Sequence, residues 1–385
     1  MECLVPIVCY LTAIALVFIG LYMPERQRDA LLPPIMGLLG WSLWQCHLLN
    51  KIPGISFQFA MTVVITILNS PLVLHAEKEP ITTRIRPDGS RDWNVITAYK
   101  RMINPRMLRA TGNVDRGVLD GSALRYRLFF VLRGVFKAMA ILLLRSKLRG
   151  LLVVVLSNSS LWDFSSSQEP LVRRLVSGSL HLHELGIRSF ISLFWIIDTA
   201  TEVELSHTLL RLLFVGILAV DEPHQWPPMF GNVLEAYTLK RFWGGFWHRL
   251  FSPAAGKWGQ ALAEKGLSRQ TPSPIKKMFV AFFIFSVSGV AHAMIDWRLG
   301  RDSPTKQILF YWSNFLAVSF EVMTSKIWLK NIRLGRLLGI GSKGETVMKR
   351  LLGFLWVAAF FIWVTPRLTY PRLFQGMVRQ AFLIR

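Results

Sequence analysis

The chain alternates long apolar runs with polar stretches rich in Lys and Arg. Leu4 to Met23 carries no charged side chain and has the length of a bilayer-spanning helix. No basic stretch precedes it, no small-residue cleavage site ends it, and further apolar runs follow. That pattern predicts a retained first helix rather than a cleaved leader. Ala30 to Leu49 and Gly54 to Leu74 predict a second and a third helix, with Pro33 and Pro34 placed to open the second. Arg26 and Arg28 follow the first run and put its C-terminal end on the cytoplasmic side. Three crossings from a lumenal start return the chain to that side at Glu77 to Arg127, a basic stretch, so crossing order and charge bias agree. Within it, Trp93, Tyr99 and Met102 are candidate anchors for a helix lying on the membrane surface.

The middle of the chain is less regular. Arg133 and Lys137 interrupt Leu128 to Leu144, and Leu151 to Leu156 is short, so one tilted span plus an interfacial helix fits as well as two spans. Ser189 to Ile197 leads into Asp198, Glu202 and Glu204, and Leu209 to Val220 is apolar again. Met278 to Ile295, Ile308 to Trp328 and Leu351 to Val364 read as clearer spans. The predicted fold class is all-α, a polytopic membrane helical bundle of about seven to nine transmembrane helices with interfacial helices. The linear organisation is N-terminal spans at 1–75, a basic cytoplasmic loop at 76–127 and a membrane core at 128–385.

Composition agrees with a membrane setting. Hydrophobic residues are 52% of the 385, in runs too continuous for an ordinary soluble core. A net charge of +22 suits a nucleic-acid partner, but the cations lie between apolar runs, as in cytoplasmic loops. The lipid bilayer is therefore the expected partner, and nucleic acid is not. Cys3, Cys9 and Cys46 show neither a disulfide framework nor zinc-site spacing. No P-loop, dinucleotide fingerprint or serine-hydrolase elbow is present, so the chemistry uses few side chains.

Two segments carry candidate chemistry. The first is Ala236 to His248, a Trp/Phe-rich basic stretch; the second is Phe285 to Asp296, which places His292 inside an apolar run. An ionisable side chain within a membrane-length segment is costly and by default marks a functional site. His292 shares a helix face with Ser288 and Asp296, four residues to either side. Its imidazole can take a proton from a hydroxyl near neutral pH, with Asp296 orienting the ring or marking the water interface. A packed histidine among the small residues Ser286, Ser288, Gly289 and Ala291 explains the segment equally well. In the first segment, Trp243, Phe246 and Trp247, with Phe251 just beyond, suit the membrane interface while Lys240, Arg241, Arg249 and Lys257 stay wet. That describes an anchor, yet Gly244-Gly245 permits a bend or a close approach to a ligand. Glu321 and Asn314 interrupt a later apolar helix, and Glu321 is expected to face the bundle interior. His181, His183 and Glu184 read as solvated or interfacial rather than metal-binding, while Asp198, Glu202 and His207 line a polar path or lie in a loop.

Taken together, Trp226-Pro-Pro-Met-Phe-Gly231, Thr238 to His248 and Phe285 to His292 resemble the wax synthase-like branch of membrane-bound O-acyltransferases. The resemblance covers roughly residues 180 to 330 and makes 128–385 an acyltransferase core. It implies acyl transfer from an acyl-CoA to an alcohol, with His292 at the family's catalytic position and His248 at its His or Asn position. Arg241 stands where plant wax synthases usually carry an acidic residue. The chain is in that respect more similar to fungal natural-product members, which acetylate terpenoid or meroterpenoid hydroxyls. The implied co-substrate is acetyl-CoA or another acyl-CoA, with no metal. Lys240, Arg241, Trp243, Trp247 and Arg249 become candidate cofactor-binding residues, and Asp296, Ser288, Asn314 and Glu321 supporting ones. The implied location is the endoplasmic reticulum membrane. A long-chain wax or sterol ester synthase is the alternative enzyme, and a lipid transporter the alternative class.

Overall fold

Wherever the apolar runs fall, the chain is helical. The computed structural model describes residues 2–51, 54–75, 80–81, 84–85, 91–92, 94–102, 121–301, 304–331 and 342–383. In chain order the helices begin with α1 (Val5–Gly20), α2 (Glu25–Trp44), α3 (Ile55–Leu74) and α4 (Val95–Met102). Next come α5 (Gly121–Ser157), α6 (Leu171–Val176), α7 (Leu182–Arg211) and the single turn α8 (Leu239–Arg241). The last four are α9 (Ser252–Gly266), α10 (Ser273–Arg298), α11 (Pro304–Asn331) and α12 (Ser342–Leu383). The one ladder among the described residues pairs Arg84–Ile85 with Arg91–Asp92, antiparallel. Proline marks the first turns of α1, α9 and α10, where its missing N–H costs nothing.

Two compact units share the chain. The first holds Met1–Gly112 and Arg249–Trp312; the second holds Asn113–His248 and Ser313–Arg385. In the first, α1, α2, α3 and α10 meet around Ala13, Val17, Leu39, Val63, Ala291 and Ile295. Arg28 is buried there and donates from Nη1 to the carbonyl of Leu74 at 2.7 Å, supplying an acceptor to a charge that would otherwise be costly. In the second, α5 and α12 pack on α7, with Phe164, Ile187, Ile191 and Tyr370 forming a satellite core.

Several sequence expectations change. Pro33 and Pro34 do not open α2; they lie inside it, because the helix starts at Glu25, directly after the extended Pro24. The region around 128–156 is neither two spans nor a span plus a surface helix, but the single 37-residue helix α5. Two of its cations meet acids on α7. Lys137 pairs with Glu204, and Arg145 reaches Asp198 at 3.1 Å and Glu202 at 3.4 Å. The acids thus lie on a helix rather than in a loop, as one side of an inter-helix charge ladder. Glu184 is likewise buried rather than solvated, accepting from Arg174 and Arg188. Most of the predicted basic loop, Trp93 included, lies outside the described residues, whereas Tyr99 and Met102 sit on or at the end of α4.

Among the described residues, four helices are long and apolar enough to cross a membrane: Glu2–Gly20, Ile55–Leu74, Ser273–Arg298 and Gly344–Gln380. Large apolar side chains such as Val8, Leu11, Phe129, Phe136 and Leu143 are more than half exposed. Such a surface suits hydrocarbon rather than water as its solvent.

Candidate active site

His292 lies on α10 in the first unit, half-buried. Its ring stacks on Tyr311 of α11, with centroids 5.2 Å apart, and has Phe57 at 5.9 Å and Phe251 at 6.4 Å. Gly289, one turn earlier, allows this contact. A Cβ there would stand 3.2 Å from Tyr311 Cβ and 3.3 Å from the Cα of Ile308. The small residues are therefore a helix-packing device, and the device brings an aromatic wall onto the histidine. Ser288 lies half-buried on the same helix, and Ser286 accepts from Trp312 Nε1 at 3.1 Å. Asp296 is fully buried and receives Gln307 Nε2, with the Arg301 guanidinium 3.8 Å away. These partners give it a further part, tying the end of α10 to the start of α11.

The aromatic-basic stretch lies in the second unit. Thr238 opens it by accepting the Arg241 N–H at 3.1 Å. Phe242–Phe246 then forms one wide π-helical turn, closed by the Trp247 N–H to the Phe242 carbonyl at 2.7 Å. Such turns recur at functional sites because they aim side chains that a regular helix cannot. Trp247 and Phe242 are buried, with Trp247 stacked on Trp195 at 6.0 Å and on Phe242 at 5.2 Å. The stretch is thus not an anchor presenting all its rings outward; these aromatics, and Phe251 in the first unit, are core.

Two polar side chains hold the turn. Trp243 Nε1 donates to Asn314 Oδ1 at 2.9 Å. Glu321 accepts the N–H of Leu239 at 2.7 Å, that of Lys240 at 3.3 Å and Trp356 Nε1 at 3.2 Å. The glycine that the turn requires is Gly231. Its N–H donates to the Phe246 carbonyl at 2.8 Å, and a Cβ would lie 2.2 Å from the Gly245 oxygen. Gly244 and Gly245 themselves face open space.

His248 follows this turn, edge-on to Phe230 at 5.8 Å and beside Trp247 at 5.5 Å. Its Nδ1 is buried and meets no hydrogen-bond partner, and burial pushes its pKa down to about 4. Lys240 and Arg249 are exposed, while Arg241 pairs with Glu235 at 2.6 Å and lies over the Tyr237 ring. The fold therefore groups Trp243, Trp247, His248, Asn314 and Glu321 in the second unit. It places Arg249, Ser288, His292 and Asp296 in the first. No group of three or more His, Cys, Asp or Glu is placed to hold a metal ion among the described residues.

Residues 226–313, which run from the Trp226 turn through His248 and His292 to Tyr311, match the family described as "Membrane bound O-acyl transferase". The likeness is to membrane-bound O-acyltransferases. Acetyltransferase spyB of Aspergillus fumigatus is 32% identical over 198 residues, 50% of this chain and 33% of its own length. Acetyltransferase nanB of Aspergillus nanangensis is 30% identical over 195 residues, 50% of this chain and 45% of its own. Acetyltransferase TRI7 of Fusarium sporotrichioides is 28% identical over 179 residues, 46% of this chain and 40% of its own. The matches span less than half the length of each relative. No solved structure matches the chain.

Sequence reasoning passed over Tyr311, Gln307 and Trp195, and named Gly231 only as the end of a motif segment. Gln307, Tyr311 and Asn314 recur at intervals of four and three residues on α11, a spacing that signals a shared polar face. The roles of Gly231 and Trp195 have no local signal.

Proposed function

We propose that this protein is a membrane-bound O-acyltransferase that moves acetyl from acetyl-CoA to a hydroxyl of a hydrophobic terpenoid or meroterpenoid. His292 takes the hydroxyl proton as the oxygen attacks the thioester carbonyl carbon. The carbon–sulfur bond then breaks, and the imidazolium returns the proton to the CoA thiolate. The ring stack with Tyr311 holds the imidazole in one plane, which limits the geometry to be searched before attack. His248, neutral near pH 7 and with a free Nδ1, is assigned a hydrogen bond to the reacting atoms. Lys240 and Arg241 are assigned to CoA phosphates, Lys240 being exposed and Arg241 beside it on the same turn.

The observation that carries this reading is the family match over 226–313, which contains both histidines. Helices α2, α5, α7 and α11, of 20, 37, 30 and 28 residues, are long enough to add crossings to the four apolar ones. A bundle of about seven to nine crossings in the endoplasmic reticulum membrane is the setting proposed.

The test uses membranes carrying the full chain, fed labelled acetyl-CoA or palmitoyl-CoA with terpenoid or fatty alcohols. Acetyl ester formed by wild type and lost in His292→Ala at matched expression supports the proposal. Ester formed only from palmitoyl-CoA makes the protein a wax or sterol ester synthase instead. Acetyl transfer undiminished in His292→Ala removes the histidine from the mechanism.

A further inference from the structure

Within the second unit, α11 and α12 line an open cleft of about 380 Å³. One wall is Ser313, Leu316, Ala317 and Phe320, the other Trp356, Ala359, Phe360 and Trp363. This volume lies within the range of small-molecule sites, and the lining has their character, apolar with a few polar groups. The Trp363 Nε1 is buried and meets no partner among the described residues. The Trp356 Nε1 is already committed to Glu321.

Length narrows the occupant. Ser313 to Phe320 and Trp356 to Trp363 each rise about 10 Å along their helices. A membrane acyl chain, covering half of a hydrocarbon core, extends about 15 Å and overruns both walls. The aromatic walls are also braced: Phe360 packs on Trp356 at 6.3 Å and on Trp363 at 5.7 Å. A braced cavity suits a compact rigid skeleton better than a flexible chain, because neither partner loses much freedom on binding.

The cavity is continuous with the motif turn through shared residues. Asn314, next to Ser313, holds Trp243, and Phe361, next to Phe360, packs on Phe242 at 4.8 Å. Glu321 bonds both Trp356 in the cavity wall and the backbone of Leu239, just ahead of the motif turn.

We propose that the α11–α12 cavity binds the ring skeleton of the acceptor, a compact ring-built alcohol of low oxygen content, and not a long acyl chain. The proposal rests on the acyl-transfer reading for the word acceptor, though not for the binding itself.

The test is photo-crosslinking of the full chain in membranes, without acetyl-CoA. One probe is a decalin alcohol bearing an aliphatic diazirine; the other is a hexadecanol bearing the same group. The decalin probe is expected to label peptides containing 313–320 or 356–363. Excess plain decalin alcohol should cut that labelling at least tenfold, as should Ala317→Phe and, separately, Ala359→Phe. If neither variant folds, competition on the unaltered chain decides. Equal labelling by the hexadecanol probe would make the cavity a lipid groove and overturn the proposal, as would labelling outside these helices. Labelling of the cavity in a protein with no transferase activity overturns the acyl-transfer reading alone. Acetyl transfer with labelling elsewhere overturns the cavity alone.

Discussion

Tyr311 lies face to face with His292, ring centroids 5.2 Å apart and planes 25° from parallel, across a helix contact that Gly289 keeps close. The stack fixes the ring plane of the proposed base without using its nitrogens. Tyr311→Phe keeps the stack and should leave acetyl transfer within about threefold of wild type, whereas Tyr311→Ala should lower kcat about tenfold or more through misplacement. His292→Ala should cost about 10²–10⁴-fold, the usual worth of a general base. Steady-state rates at matched membrane expression check all three.

Gly231 should tolerate no side chain. Its Cβ would fall 2.2 Å from the Gly245 oxygen, and neither backbone can yield without breaking the Gly231–Phe246 hydrogen bond. Gly231→Ala should therefore destabilise the fold by about 1–3 kcal/mol, the range for overpacking. Gly244→Ala, whose Cβ meets open space, should melt within a few degrees of wild type in detergent.

Glu321 should prove a brace of the motif turn. Its removal in Glu321→Ala strips partners from the Leu239 and Lys240 N–H groups and from Trp356 Nε1. Loss of about 1–2 kcal/mol is expected, chiefly from the Leu239 N–H, because the other two bonds are exposed. Trp356→Phe removes one of the three bonds and should show a smaller drop in melting temperature.

The α5–α7 charge ladder predicts non-additive substitutions. Arg145→Met takes from Asp198 and Glu202 the guanidinium that pairs them, at an expected cost of about 1–3 kcal/mol because both acids are partly exposed. Lys137→Glu alone should lower the folded yield in the membrane. Lys137→Glu with Glu204→Lys should restore most of it, because the pair is rebuilt in reverse. Independent, additive losses would show that Lys137 and Glu204 do not act as a pair.

His248 should contribute a pH dependence of stability. Burial lowers its folded pKa to about 4, below the ordinary histidine value, so between those two pH values the unfolded chain binds the proton and the folded chain does not. Stability therefore falls as pH drops from about 6.5 toward 4, by roughly 3 kcal/mol in all, and is unaffected above that window. His248→Asn should flatten the melting profile across that window. An unchanged profile would assign the acid sensitivity to other groups.

Much of the architecture is legible in the sequence because burial in an apolar medium is a local demand. A run such as Leu4 to Met23 must satisfy its own backbone hydrogen bonds, so apolar length alone makes it a helix. Acyl transfer was implied not by these groups one at a time but by the resemblance of Thr238 to His248, together with Phe285 to His292, to membrane-bound O-acyltransferases. The tertiary structure decided the pairings. Arg145 with Asp198, Trp243 with Asn314, Glu321 with Leu239 and His292 with Tyr311 join residues from 19 to 82 positions apart. Gly231 is needed for a carbonyl fourteen residues away, and Trp247, whose sequence context suits the membrane interface, is buried against Trp195. Hydrogen bonds and steric overlaps act over a few ångströms in space, and distance along the chain does not record which groups fall within that reach.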